Sequence, residues 1–93
     1  MGSQKFRLEL SDKAEDFLKG CTRFVRERLK DALDKISRDP YNPEHSIPLV
    51  GNLSGKRRWT EGDFRVIYKV EDGNVTVYIL QIGHRSNIYQ KDI

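Results

Sequence analysis

The hydrophobic period of this chain changes once, and the change decides what it can fold into. Between Ser11 and Ser37 apolar residues recur at steps of three and four. From Lys56 to Ile82 they alternate or run together. The first spacing lines one face of a helix and the second one face of a strand. Helices followed by a run of strands are the α+β pattern, in which the helices cover one face of a mainly antiparallel sheet.

A strand is read over residues 5–10, with Phe6, Leu8 and Leu10 on one side and Arg7 and Glu9 on the other. Ser11 offers a helix N-cap, and Asp12 and Glu15 suit the positive end of the helix that follows. Ala14, Phe17, Leu18 and Cys21 form its buried stripe, and Gly20 is a natural stop. Thr22 caps a second helix over residues 23–37, which turns Val25, Leu29, Ala32, Leu33 and Ile36 inward. Arg26, Glu27, Lys30, Asp31 and Lys35 then read as a solvated face with a few ion pairs. The alternative for that face is a surface that receives a partner protein. Asp39-Pro40 ends the helix. Pro43 and Pro48 keep the next residues extended or turned, as a connection within one domain.

The remainder reads as strand. Residues 56–60 form a short polar strand. Residues 64–70 place Phe64, Val66, Tyr68 and Val70 on one face and Arg65, Ile67 and Lys69 on the other. Glu61-Gly62-Asp63 and Asp72-Gly73-Asn74 are turns, where glycine takes a positive φ at little cost. Residues 75–82 are apolar on both faces, as in a central strand. Gly83-His84-Arg85 leaves the sheet, and residues 86–89 form a last extended piece. The predicted order is β-α-α-β-β-β, with two N-terminal helices packed on one face of a small, mainly antiparallel sheet. At 93 residues the chain has room for one domain, residues 1–93.

The charge balance of +3 is too small to imply nucleic acid by itself, so its distribution has to carry that argument. Lys56-Arg57-Arg58 is the densest basic run, and Arg65 and Arg85 follow in the same half. The single cysteine, Cys21, excludes an internal disulfide or a multi-cysteine zinc site. It reads as a buried thiol, compatible with a reducing cytoplasmic setting. No apolar stretch reaches the roughly 18 residues of a membrane span, and no secretory signal follows Met1. No metal, phosphate-loop or nucleophile-elbow motif stands out, so neither metal nor cofactor is expected.

Four pieces stand in a telling order: Leu49-Val50-Gly51-Asn52-Leu53-Ser54-Gly55-Lys56-Arg57-Arg58-Trp59, Gly62-Asp63-Phe64-Arg65-Val66-Ile67-Tyr68, Ile82-Gly83-His84-Arg85 and Ile88-Tyr89. Together they resemble the RelE/ParE toxin superfamily. There a leucine–spacer–glycine segment precedes a basic strand, a Gly-Asp-aromatic-Arg strand follows, and Gly-His-Arg with a later tyrosine closes the domain. The resemblance implies a toxin of a type II toxin–antitoxin pair, silenced by a cognate antitoxin protein that wraps it. RelE-like members enter the ribosomal A site and cut mRNA there, using the RNA's own 2′-hydroxyl and no metal. ParE-like members share the fold and poison DNA gyrase. The RNA-cleaving reading leads. A gyrase inhibitor, or a catalytically inactive relative that only binds an antitoxin, is the alternative.

Attack by a 2′-hydroxyl builds negative charge on the phosphate and moves two protons, so a metal-free site needs fixed cations and acid–base groups. Arg65 matches the motif arginine and is the first choice for a phosphate clamp, since a guanidinium grips phosphate through two donors. Its bland alternative is a solvated strand arginine. By resemblance, Arg85 stabilises developing charge; its alternative is an ion pair with Asp or Glu. Lys56 and Arg58 share a strand face and by resemblance hold RNA. An arginine keeps its proton and makes a poor base, so Lys56 is the acid–base candidate of the two. Arg57 faces the other way and reads as structural or as a peripheral backbone contact. Tyr89 matches the family's late tyrosine, to stack on a base, orient the 2′-hydroxyl or move a proton, or simply to close the core edge. His84 is an RNA-binding candidate and reserve acid or base, or else a hydrogen-bonded strand-end histidine. His45 receives no role, and Trp59 and Tyr68 read as packing residues.

Overall fold

Ser11 joins the first strand to the first helix with one hydroxyl. In the computed structural model, which describes residues 5–88, β1 is Arg7–Leu10 and α1 is Asp12–Gly20. The Ser11 hydroxyl accepts from the Ala14 N–H at 3.1 Å and donates to the Leu80 carbonyl at 2.7 Å. It therefore caps the helix and ties it to the far end of the sequence. Thr22 accepts from the Val25 N–H at 3.3 Å and starts α2, Arg23–Arg38.

Arg26 departs from the expected solvated face. Its Nε donates to the Leu18 carbonyl at 3.0 Å and its Nη2 to the Cys21 carbonyl at 2.8 Å. Carbonyls at a helix C-terminus lack helical partners, and Arg26 of the next helix supplies them. The expected surface pairs are present elsewhere on α2, as Lys35–Asp31 at 3.8 Å and Arg38–Asp34 at 3.1 Å.

After α2 come β2 (Ser46–Pro48), a 3-10 turn (Gly51–Leu53), β3 (Arg57–Glu61), β4 (Phe64–Glu71), β5 (Thr76–His84) and the short helix α3 (Arg85–Ile88). The sheet order is β1-β5-β4-β3-β2; β1 lies parallel to β5 and the other pairs are antiparallel. The α+β class and the central position of β5 are as expected, but four details differ. The proline-bounded connection contains β2, which is tolerated because Pro48 lies on an edge strand where a missing N–H costs nothing. Residues 85–88 are helical where an extended piece was predicted. There the Arg85 N–H donates to the Asp63 carbonyl at 2.8 Å, and Ile88 is buried against Gly83. At the β4–β5 turn the positive φ falls on Val75 (52°), not on Gly73. Finally, the β4–β5 register slips between Ile67 and Tyr68, so Leu80 is an extra residue in β5.

That bulge keeps Val77, Ile79 and Ile82 on one side although their spacing changes from two to three. They join Trp59, Val66 and Tyr68 beneath Ala14, Leu29, Ala32 and Ile36 of the two helices. The core thus occupies one side of the sheet. Alternation sends Arg58, Arg65 and Lys69 to the other side, here called the outer face. Among the described residues no helix is long and apolar enough to cross a membrane.

Candidate functional site

The outer face is built around β3 and β4. Arg65 pairs across the sheet with Thr60 on one side and Gly83 on the other. Its guanidinium turns toward the β3–β4 turn, where Nη1 donates to the carbonyls of Gly62 (2.9 Å) and Phe64 (3.0 Å). Gly62 has a φ of +58°, which favours glycine. Arg85 reaches the same turn from α3: its Nε lies 3.6 Å from Asp63 Oδ1. Both groups of that ion pair are mostly exposed, so the pair contributes little stability and is readily exchanged for another anion. α3 itself folds back on the outer face, because Ile88 packs where a side chain on Gly83 would project.

A third guanidinium arrives from the helix layer. Arg28 Nη2 stands 4.0 Å from Glu61 Oε2 and 2.9 Å from the position a Cβ on Gly62 would take. Sequence reading missed Arg28. Nothing local marks it; only the crossing of α2 over the β3–β4 turn places it there.

The other predicted residues divide. Lys56 immediately precedes β3, at the end away from the β3–β4 turn. Because Thr60 faces Arg65, Lys56 lies four strand residues away, about 13 Å at the usual rise. Arg58 sits between them on the same face. Arg65 and Arg85 are therefore brought together, while Lys56 and Arg58 extend the basic row away from them. Tyr89 lies outside the described residues. His84 goes to the helix side: it pairs with Phe64, and its ring meets the Phe64 ring edge-on at 5.6 Å. Its Nδ1 accepts from the Ser86 N–H at 3.1 Å and contacts the Ser86 hydroxyl at 2.8 Å. In the neutral ring this leaves the proton on Nε2. This is the strand-end arrangement weighed as its alternative, and it points His84 away from Arg65's side.

Arg57 faces the helix side, as its parity predicts. Its Nε donates to Ser46 Oγ at 2.7 Å, Ser46 lies 2.6 Å from the Tyr68 hydroxyl, and that hydroxyl donates to the Pro40 carbonyl at 2.6 Å. Burial pushes the Tyr68 pKa up, and the Ser46 hydrogen bond and the Arg57 charge oppose the shift. Trp59 is fully buried with His45 stacked on it at 4.8 Å. The Cys21 thiol is pushed up by burial, against the pull of Arg26, and lies 3.1 Å from the Phe17 carbonyl. Among the described residues no cluster of His, Cys, Asp and Glu is placed to hold a metal.

The chain is similar to known proteins in sequence and in fold. Residues 8–89 match the family described as the ParE toxin of type II toxin-antitoxin system, parDE. The Mycobacterium tuberculosis protein named Toxin RelG is 33% identical over 60 residues, covering 64% of this chain and 67% of that protein. The fold is shared with the RelBE2 toxin–antitoxin complex of the same organism, at a TM-score of 0.79 and 24% identity, over 88% of this chain and 100% of that one. It is also shared with the isolated Escherichia coli RelE toxin, at a TM-score of 0.71 and 23% identity, over 92% and 93% of the two chains.

Proposed function

Because the chain belongs to the ParE toxin family of the RelE/ParE superfamily, and is a type II toxin, we propose that it is a ribosome-dependent endoribonuclease that cleaves mRNA by metal-free 2′-hydroxyl attack. The observation that carries this reading is the meeting of Arg65 and Arg85 at the Gly62–Asp63 turn, beside the basic row of Arg58 and Lys56.

In this mechanism the scissile phosphate displaces Asp63 from Arg85 and takes donors from Arg65. The 2′-oxygen attacks phosphorus, and the bond from phosphorus to the 5′-oxygen breaks. The products are a 2′,3′-cyclic phosphate and a free 5′-hydroxyl. One proton leaves the nucleophile and one reaches the leaving oxygen. Tyr89, next after buried Ile88, is the assigned acid–base or base-stacking group. The two guanidiniums stabilise the charge that gathers on the phosphoryl oxygens. Lys56 is too far along β3 for the same phosphate. Its role here is to hold a neighbouring one, with Arg58 between. His84, turned to the helix side, has no part in the chemistry. The partner in the resting cell is a cognate antitoxin, as in the RelBE2 complex that shares the fold, and both act in the cytoplasm.

The test is primer extension on translated messages after induction. Discrete cuts with the unaltered chain, and none with Arg65→Ala, are expected. A second reading, a DNA gyrase inhibitor, is favoured by the family's description. DNA breaks or gyrase inhibition with uncut messages, and growth arrest that survives Arg65→Ala, would establish it instead. Absence of any growth defect on expression alone would indicate an inactive, antitoxin-binding relative. Co-expression with the neighbouring open reading frame, followed by pull-down, checks the antitoxin.

A further inference from the structure

At the Lys56 end of β3 lies a cavity of about 140 Å³, lined by Tyr41, Pro48, Gly55, Lys56, Arg57 and Val70. Its walls are built rather than incidental. The Tyr41 hydroxyl donates to Asp72 Oδ2 at 2.7 Å, which fixes the ring. The Arg57 guanidinium lies 5.0 Å from the centre of that ring and is itself held by the Ser46 hydroxyl and carbonyl. A stacked pair held at both ends loses little freedom when a ligand arrives. Val70 and Pro48 supply apolar contact.

The size and the donors define the occupant. Drug-sized ligands occupy roughly 300–1,000 Å³, so this cavity takes one planar ring and little more. Lys56 and Arg57 carry hydrogen-bond donors and no acceptor, and Tyr41 directs its hydroxyl proton to Asp72. A ring with acceptors on its edge adds partners for Lys56 and for the Arg57 donors that Ser46 does not take, which an apolar peptide side chain would not do. Lys56 lines the cavity and immediately precedes β3, the strand that carries Arg58 and pairs with the strand of Arg65, so the cavity adjoins that basic row.

We propose that this cavity receives one nucleobase of a single-stranded RNA whose backbone follows Lys56, Arg58 and Arg65, with a preference for the acceptor edge of guanine over that of adenine or cytosine. The inference rests on the RNA reading above and adds a base-reading subsite to it. The ring packs against the Tyr41–Arg57 stack, as unstacked RNA bases do on aromatic and guanidinium planes. Guanine presents two acceptors, O6 and N7, to the donors.

The test is fluorescence anisotropy with the full chain and labelled RNA hexamers, 2′-O-methylated so that they cannot be cut. The hexamers carry guanine, adenine, cytosine or an abasic residue at each position in turn. Tyr41→Ala should weaken binding of the guanine-containing hexamer about tenfold, with the salt dependence unchanged. Tyr41→Phe keeps the ring and should retain most of the affinity. Lys56→Ala should instead flatten the salt slope by about 0.7. At one position an abasic residue should cost the unaltered chain about the same tenfold and cost Tyr41→Ala nothing. Circular dichroism melting of each variant separates lost binding from lost folding. Equal abasic penalties in both proteins would overturn the subsite while leaving RNA binding intact, provided Lys56→Ala still flattens the slope. So would loss of antitoxin binding, but not RNA binding, in Tyr41→Ala. If no hexamer binds the unaltered chain in a salt-dependent way, the RNA reading fails and the subsite with it.

Discussion

The two ends of the β3–β4 pair hold nearby arginines in opposite ways. At the Arg57 end, a directed chain of hydrogen bonds runs from the guanidinium through Ser46 and Tyr68 to the Pro40 carbonyl. Ser46, Tyr68 and Pro40 are all buried, and each donor meets an acceptor. At the Glu61 end, Arg65 donates to turn carbonyls, and Arg85 faces Asp63 across 3.6 Å in the open. The first arrangement is costly to disturb because a broken link strands a buried polar group. The second is cheap to disturb because water or another anion can take over. The β3–β4 pair therefore has a fixed anchor at one end and exchangeable cations at its turn, and the exchange of a carboxylate for a phosphate proposed above needs the second kind.

The largest expected effect tests the core between these ends. Trp59→Ala should cost about 3–5 kcal/mol, read by urea denaturation; a cost under about 1 kcal/mol would mean that β3 is not anchored as described. Next comes the exchangeable end. Arg65→Ala should lower mRNA cleavage about 10²–10³-fold with a nearly unchanged melting temperature. Equal losses of activity and stability would erase the contrast.

Tyr68→Phe probes the fixed end and should cost about 1–3 kcal/mol, the usual penalty for unpaired buried groups. It also has a pH signature. Burial holds the Tyr68 pKa above its ordinary range in the folded chain, so at high pH the native state keeps a proton that the unfolded state has lost. The stabilisation is complete below about pH 10 and is lost as pH rises through the folded value. Alkaline denaturation profiles should therefore be flatter for Tyr68→Phe than for the unaltered chain. Val75 sits at a φ of 52°, where a β-branched side chain is strained. Val75→Gly should stabilise by about 1 kcal/mol, away from both ends, and thermal melting reads it. Smallest is Asp63→Asn, which should change stability by no more than about 0.5 kcal/mol while strengthening the binding of RNA at low salt.

What the sequence disclosed follows from the range of each interaction. Ser11 and Thr22 were readable as caps because a cap spans three residues. Arg57 and Arg58 could be assigned to opposite faces because strand parity is local. β2 escaped notice since a three-residue edge strand with a proline carries almost no pattern and exists only through its pairing with β3. The bulge at Leu80 made β5 look apolar on both faces, when its core residues in fact stay on one side. Arg65 and Arg85 could be picked out by motif. Their shared turn is a tertiary fact, as is Arg28, which no spacing in α2 connects to Gly62. His84 sits on the helix side, in the hydrogen-bonded strand-end arrangement that the sequence already offered for it.

The parallel pairing of β1 with β5 has a temporal consequence. Among the described residues β1 has its only strand neighbour in β5, the last strand in chain order, and the Ser11–Leu80 hydrogen bond closes across 69 residues. Until β5 has been made β1 stays unpaired, and contacts of such long reach form late and slowly. The sheet cannot be completed, nor the arginine turn roofed by α3, until residues 76–88 have emerged. For a type II toxin, this order of assembly delays the arginine turn until the strand and helix that complete it have been made.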